Sequence, residues 1–217
     1  MKSEGSGDRQ RMLRLSFMAS KFGFFLIAFV SIPCLFEMNE LLKLWLGKVP
    51  QYCVLFCISI AIAIMIDQIT VGLNAAIQAT KLVKESALTV GIIKMLIVPV
   101  AYLLLKLGYG LVECMIGYAA IEAFAGVARI ILLHQKVDMN IKSFIRKVVL
   151  QLISPIIAVC IFMTVMVNYI HFEFRFLCTI PISIVLFLIF TYFFSLSLDE
   201  NSTLSTFFNL EILSFMS

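Results

Sequence analysis

The chain has 217 residues, of which 62% are hydrophobic and only 14% are charged, and its formal net charge is +4. An ordinary soluble domain carries about 25% charged residues, so this chain has too few charges to cover a globular surface and must use lipid as the solvent for much of its length. No polar segment combines clustered basic residues with aromatic residues, so we expect no nucleic-acid partner.

Apolar runs that approach the ~20 residues needed to cross a bilayer recur along the chain and predict six transmembrane helices. The runs lie at about 18–36, 53–76, 87–105, 111–133, 148–169 and 176–194. They are too long and too uniformly apolar for the strands of a membrane barrel. The predicted fold is therefore an all-α, polytopic membrane helix bundle that forms a single transmembrane domain over residues 1–217.

A short amphipathic stretch at 40–47 separates the first two runs and is too short to cross a bilayer. It places leucines and Trp45 beside Lys43, and it is followed by Lys48 and Pro50. This composition predicts an interfacial helix that lies along the outer membrane surface.

The distribution of Lys and Arg between the connections predicts the orientation of the chain. Eleven basic residues fall on one side and four on the other. The first set is Lys2, Arg9, Arg11, Arg14, Lys21, Lys81, Lys84, Lys136, Lys142, Arg146 and Lys147, and the second is Lys43, Lys48, Lys106 and Arg175. We therefore expect the first side to be cytoplasmic, with both termini on it, and Glu37, Glu40, His171 and Glu173 to be external.

Polar residues are concentrated at the end of the second run. At about 100° per residue, Asp67, Thr70, Asn74 and Gln78 fall within roughly 80° of arc and form one polar stripe. A neighbouring face carries small residues at small-x-x-x-small spacing, a pattern that lets helices approach closely in lipid. Its members are Gly72, Ala75, Ala76 and Ala79.

A carboxylate near the bilayer centre costs at least ~2.5–3.5 kcal/mol, so Asp67 must be paired, protonated or in contact with water. Counting from the span ends puts Lys94 and Glu122 near the same depth. Two interpretations remain open: an Asp67–Lys94 or Lys94–Glu122 ion pair that fixes helix packing, or a set of polar groups around a hydrophilic pathway. Arg129 is close enough to the cytoplasmic end to be expected as an interfacial cation.

The sequence contains no arrangement that predicts catalysis. His134 and His171 lie at span ends, and neither a Ser-His-Asp order nor a Gly-rich phosphate loop is present. The six cysteines lie in or beside apolar runs, where we expect them to be small buried side chains. We expect no metal, no cofactor, no disulfide framework and no enzyme activity.

Several short motifs resemble the C-terminal part of bacterial polysaccharide flippases, the O-antigen and capsule transporters of the multidrug/oligosaccharidyl-lipid/polysaccharide exporter superfamily. The likeness covers roughly residues 5–150. It is carried by Gly7, Asp8, Arg11, Met12, Lys21, Phe22, Pro33, Leu44, Trp45, Leu46, Gly47, Pro50, Ile66, Asp67, Ile77, Gln78, Ala79, Thr80, Pro99, Tyr102 and Gly108. The chain departs from the family pattern at Lys81, where a glycine is usual, and at Lys94, which is usually uncharged.

The resemblance implies a protein of the bacterial inner membrane with two similar lobes around a cationic cavity. Such a protein moves oligosaccharide linked to undecaprenyl pyrophosphate to the outer leaflet by alternating access, for lipopolysaccharide or capsule synthesis. The chain would then be a fragment that lacks the N-terminal lobe. Its expected pathway residues are Asp67, Thr70, Asn74, Gln78, Lys94 and Glu122.

Two alternatives stay open. A multidrug or cation antiporter of the same superfamily would use Asp67 to bind Na⁺ or H⁺. A membrane-embedded polysaccharide polymerase or ligase would need a large external loop with Arg and His, and the external stretch 37–52 contains neither.

Overall fold

The computed structural model describes residues 9–169 and 175–191, and every regular element in these ranges is a helix. Five of the helical segments in these ranges are long and apolar enough to cross a bilayer: Arg9–Phe36, Cys53–Val71, Val83–Lys106, Leu111–Val137 and Ile141–Tyr169. This arrangement confirms the all-α fold class and is compatible with a multi-pass membrane protein.

The helices are numbered in chain order. They are α1 (Arg9–Phe36), α2 (Met38–Leu46), α3 (Cys53–Val71), α4 (Asn74–Ala79), α5 (Val83–Met95), α6 (Ile97–Lys106), α7 (Leu111–Val137), α8 (Ile141–Phe144), α9 (Leu150–Tyr169) and α10 (Arg175–Phe190), with a π-helical turn at Ile145–Val149 between α8 and α9. The segment predicted at 40–47 is α2, which ends where Gly47 adopts a φ of 71°.

Two of the predicted spans are interrupted, one shortly before a proline and the other at a glycine. Pro99 has no N–H, and its ring clashes with the carbonyl of the residue four positions earlier, which is Met95. Helix α5 ends at that residue, and α6 begins after Leu96. The run predicted at 53–76 is broken at Gly72 and Leu73, where the backbone makes tighter hydrogen bonds from Leu73 N–H to Thr70 O and from Ala75 N–H to Gly72 O.

The helices form two groups that meet where α1 packs against α3. In one group α7 packs against α3, α5 and α6, and in the other α1, α9 and α10 pack against one another. The contact between α1 and α3 is close because Gly72 lies against the backbone of Ser20, with no room for a side chain between them. Ala76 and Ala79 of the predicted small-residue face are also buried, whereas Ala75 is exposed.

The sixth predicted span, 176–194, corresponds to α10. This helix runs over Arg175–Phe190 and is apolar but shorter than the other five segments. The end of that predicted span, at 192–194, lies outside the described residues, as do Lys2, His171, Glu173 and the C-terminus.

Candidate functional site

Three helices bring charged side chains together inside the first group. Asp67 is on α3, Lys94 is on α5, and Glu122 and Arg129 are on α7. Glu122 and Arg129 are seven residues apart, so they share one face of α7 about 10 Å apart along its axis. Gly126 lies between them on that face, and the absence of a side chain there lets Thr70 of α3 approach. We call the four charged residues the charged cluster.

The members of the charged cluster form a continuous chain of ion pairs. The Lys94 ammonium lies 2.7 Å from Glu122 Oε2 and 3.5 Å from Asp67 Oδ1. Arg129 Nη1 donates to the same Asp67 oxygen over 2.8 Å and to Thr70 Oγ1 over 3.0 Å. The contact of Lys94 with Glu122 is at ion-pair distance but outside hydrogen-bond angles. Asp67 therefore links the two cations, while Glu122 contacts one of them.

The charges of the cluster balance, which is what an apolar surrounding requires. Two cations and two carboxylates converge, so the formal charge of the four groups sums to zero. An isolated charge at mid-membrane depth is costly, and mutual pairing is the usual way in which that cost is reduced. Both ion pairs considered from the sequence, Asp67–Lys94 and Lys94–Glu122, are present. They join α3 and α5 to α7.

The charged cluster has a buried half on α7 and a more exposed half, which we call the open half, on α3 and α5. The side chains of Glu122 and Arg129 on α7 are only 7% and 8% exposed, whereas those of Asp67 and Lys94 are 24% and 33% exposed. The buried half lies between packed helices. The open half is formed by Asp67 on α3 and Lys94 on α5.

The structure does not bring Asn74 and Gln78 into the cluster. Both are on α4, and the break at Gly72 and Leu73 changes the angular phase that one continuous helix would have given them. Asn74 is half-buried and Gln78 is exposed. Asp67 and Thr70 share the α3 face that meets α7, so the predicted four-residue stripe is divided between two segments.

The interfacial position expected for Arg129 is wrong, because this residue is buried and bound to Asp67 and Thr70. Helix α7 continues to Val137, so Arg129 is two turns inside the helix. A helical side chain also leans toward the N-terminus of its helix, which carries the guanidinium further from the end. The spacing of seven from Glu122 was the sequence signal that could have identified it.

A second buried polar group connects the end of α1 to α9 and α10. Glu37 is only 1% exposed, and both of its carboxylate oxygens accept hydrogen bonds from Arg175, from Nε and Nη2, each over 2.9 Å. Thr179 Oγ1 adds a contact of 3.3 Å to the same carboxylate, and Arg175 Nη1 donates to Val167 O over 3.0 Å. We call Glu37, Arg175 and Thr179 the clasp. It joins the end of α1 to the start of α10 and the last turn of α9.

The clasp could not be predicted from the sequence. Glu37 and Arg175 were both expected in external connections, and they are separated by 138 positions. No local spacing pattern relates residues so far apart, and only the packing of α1 with α9 and α10 brings them together.

Comparison with known proteins identifies no relative of this chain. No protein-family model, no curated protein and no solved structure matches the chain.

Proposed function

We propose that the chain forms part of one wall of a transporter in the bacterial cytoplasmic membrane. In this proposal the cargo is an oligosaccharide linked to undecaprenyl pyrophosphate, destined for lipopolysaccharide or capsule. Helix α10 is the sixth span, both termini are cytoplasmic, and a further helical lobe supplies the facing wall. The cargo, the orientation and the second lobe are taken from the family resemblance of the sequence motifs.

The observation that supports a transport role is the open half of the charged cluster. Asp67 and Lys94 are charged side chains within two predicted membrane spans, yet they are a quarter and a third exposed. Charged side chains within membrane spans face a bundle interior or a water-filled cavity, because lipid cannot solvate them. The open side of α3 and α5 therefore suits a polar pathway better than it suits acyl chains.

The cation-antiporter alternative receives less support from the same geometry. A bound Na⁺ or H⁺ at Asp67 would have to compete with Arg129 and Lys94, which already neutralise that carboxylate from 2.8 Å and 3.5 Å. A cation site is expected to present carboxylates that lack such partners.

Single cysteines at positions 74 and 78 test whether the polar pathway continues from the charged cluster along α4. After replacement of the six native cysteines, we expect N74C and Q78C to react with a negatively charged, water-soluble thiol reagent in membranes, because a hydrophilic pathway hydrates them. The matched controls are I92C and L88C on α5, whose native side chains are exposed. Counted in residues, they are about as far from Lys84 as positions 74 and 78 are from Lys81. These two are expected to react only with an apolar maleimide. Equal protection of all four sites from the charged reagent would contradict the pathway.

The nature of the cargo is tested by crosslinking. An undecaprenyl-pyrophosphate oligosaccharide with a photoreactive group on its sugar should crosslink to the chain on the α4 side, near Gln78, because the glycan needs polar contacts. Mass spectrometry locates the adduct, and competition with unlabelled cargo measures specificity. Adducts found only on the apolar surface of α5, around Leu88 and Ile92, would show that the lipid tail approaches the protein while the glycan does not, and would count against this cargo.

A further inference from the structure

The surface helix α2 exposes three apolar side chains toward its C-terminal end, which we call its apolar edge. They are Leu44 (65% exposed), Trp45 (83%) and Leu46 (43%), whereas Leu42 is buried. Lys48 follows the helix and is exposed as well. A tryptophan beside leucines and lysines is typical of a helix that lies at the boundary between headgroups and acyl chains.

The chain topology fixes where this edge must be. Helix α1 is long enough to cross a bilayer and ends at Phe36, and α3, which is also long enough, begins at Cys53. Both ends of the connection 37–52 therefore emerge at the same membrane face. The short α2 is held within a few residues of that face, so the partner of its apolar edge is the bilayer interface itself.

Helix α2 is connected directly to the clasp through Glu37. The Glu37 carbonyl accepts the first hydrogen bond of α2, from Leu41 N–H over 3.0 Å, and the Glu37 N–H donates to Pro33 O in the last turn of α1 over 3.3 Å. The side chain of the same residue is held by Arg175 and Thr179. One residue thus fixes the direction in which α2 leaves α1 and ties it to α10.

We propose that α2 binds the membrane–water interface through Leu44, Trp45 and Leu46, and that the clasp sets the depth at which it binds. With the clasp closed, the start of α2 is held against α10 and the apolar edge points at the bilayer. With the clasp open, that orientation is no longer fixed. Closure of the clasp and binding of α2 to the interface are thermodynamically linked, so interfacial binding of α2 in turn favours a closed clasp. This inference depends on membrane insertion and is independent of any transported cargo.

Trp45 is the one tryptophan of the chain, so its fluorescence reports on α2 alone. In phosphatidylcholine vesicles that contain lipids brominated near the headgroup, we expect strong quenching by the bromolipid and weak quenching by acrylamide. The variant E37Q keeps the shape of the side chain and removes its charge. It should move the Trp45 emission to longer wavelength and increase acrylamide quenching.

Two further variants make the result specific. E40Q breaks the exposed Glu40–Lys43 pair on α2 itself and should leave the emission unchanged. T179V removes one hydrogen bond from Glu37 and should shift the emission in the same direction as E37Q but less, with the helical circular dichroism unchanged. Strong acrylamide quenching without bromolipid quenching in the wild-type chain would overturn the interfacial binding. Emission that is the same in E37Q and T179V as in the wild-type chain would overturn the control by the clasp.

Discussion

Replacing Arg129 with methionine is expected to lower the free energy of unfolding by about 3–5 kcal/mol, because removing one partner of a buried ion pair leaves the charged cluster with an uncompensated negative charge. In R129M, Asp67 keeps the Lys94 ammonium at 3.5 Å, but it loses the guanidinium at 2.8 Å. Thr70 also loses the donor that contacts its hydroxyl. Titration with sodium dodecyl sulfate in mixed micelles, followed by circular dichroism, measures the loss.

The surface pair Lys136–Glu85 provides the matched control for this prediction. Its ammonium and carboxylate are 3.1 Å apart, but both side chains are about half exposed, so K136M should cost less than about 1 kcal/mol. The double variant D67N/R129M removes one charge of each sign and leaves the Lys94–Glu122 pair intact. We therefore expect it to be more stable than R129M alone. The single variant D67N completes the comparison: if the loss of stability in D67N/R129M equals the sum of the losses in D67N and R129M, Asp67 and Arg129 act independently.

Replacing Gly72 with alanine is expected to destabilise the bundle by about 3 kcal/mol, the upper part of the usual range for overpacking. The added methyl group would fall on backbone atoms of Ala19 and Ser20, which cannot change rotamer to make room. Helix α1 must then move away from α3. The backbone of Gly72 is right-handed helical, with φ −61° and ψ −23°, so alanine is tolerated locally and the effect isolates the contact between helices.

Gly91 is the matched control, because it is also helical and a methyl group added there meets no atom within 4 Å. G91A should be neutral or gain up to about 1 kcal/mol from the higher helix propensity of alanine. Comparable losses in G72A and G91A would show that the close approach of α1 and α3 does not limit stability.

The helical class, the long apolar segments and the pairing of Asp67 and Lys94 were predictable from the sequence. Composition decides the first two, because a chain with few charges has to satisfy its backbone within helices. Counting residues from the span ends places Lys94 and Glu122 at one depth, and an unpaired charge at that depth is too costly to remain alone. The shared membrane depth of these residues and the free-energy cost of an unpaired charge were enough to predict ion pairs. They were not enough to predict which helix faces meet.

The remaining features depend on where helices break and how they pack. The stripe from Asp67 to Gln78 was predicted on a continuous helix, and the tight turn at Gly72 and Leu73 rotates its second half. Position 72 requires a glycine because the backbone of Ser20, on α1, leaves no room for a side chain there. The clasp joins residues that share no local pattern.

The position of Lys94 has a consequence for how the protein enters the membrane. The segment formed by α5 and α6 packs mainly against α7, and the Lys94 ammonium contacts Glu122 on that helix. Partitioned alone, this segment would carry the Lys94 charge into the lipid at a cost of about 2.5–3.5 kcal/mol. When the segment partitions together with α7, Glu122 neutralises that charge. Biogenesis is therefore expected to retain the segment at the insertion machinery until α7 has been synthesised, so that the two are released into the bilayer as one unit.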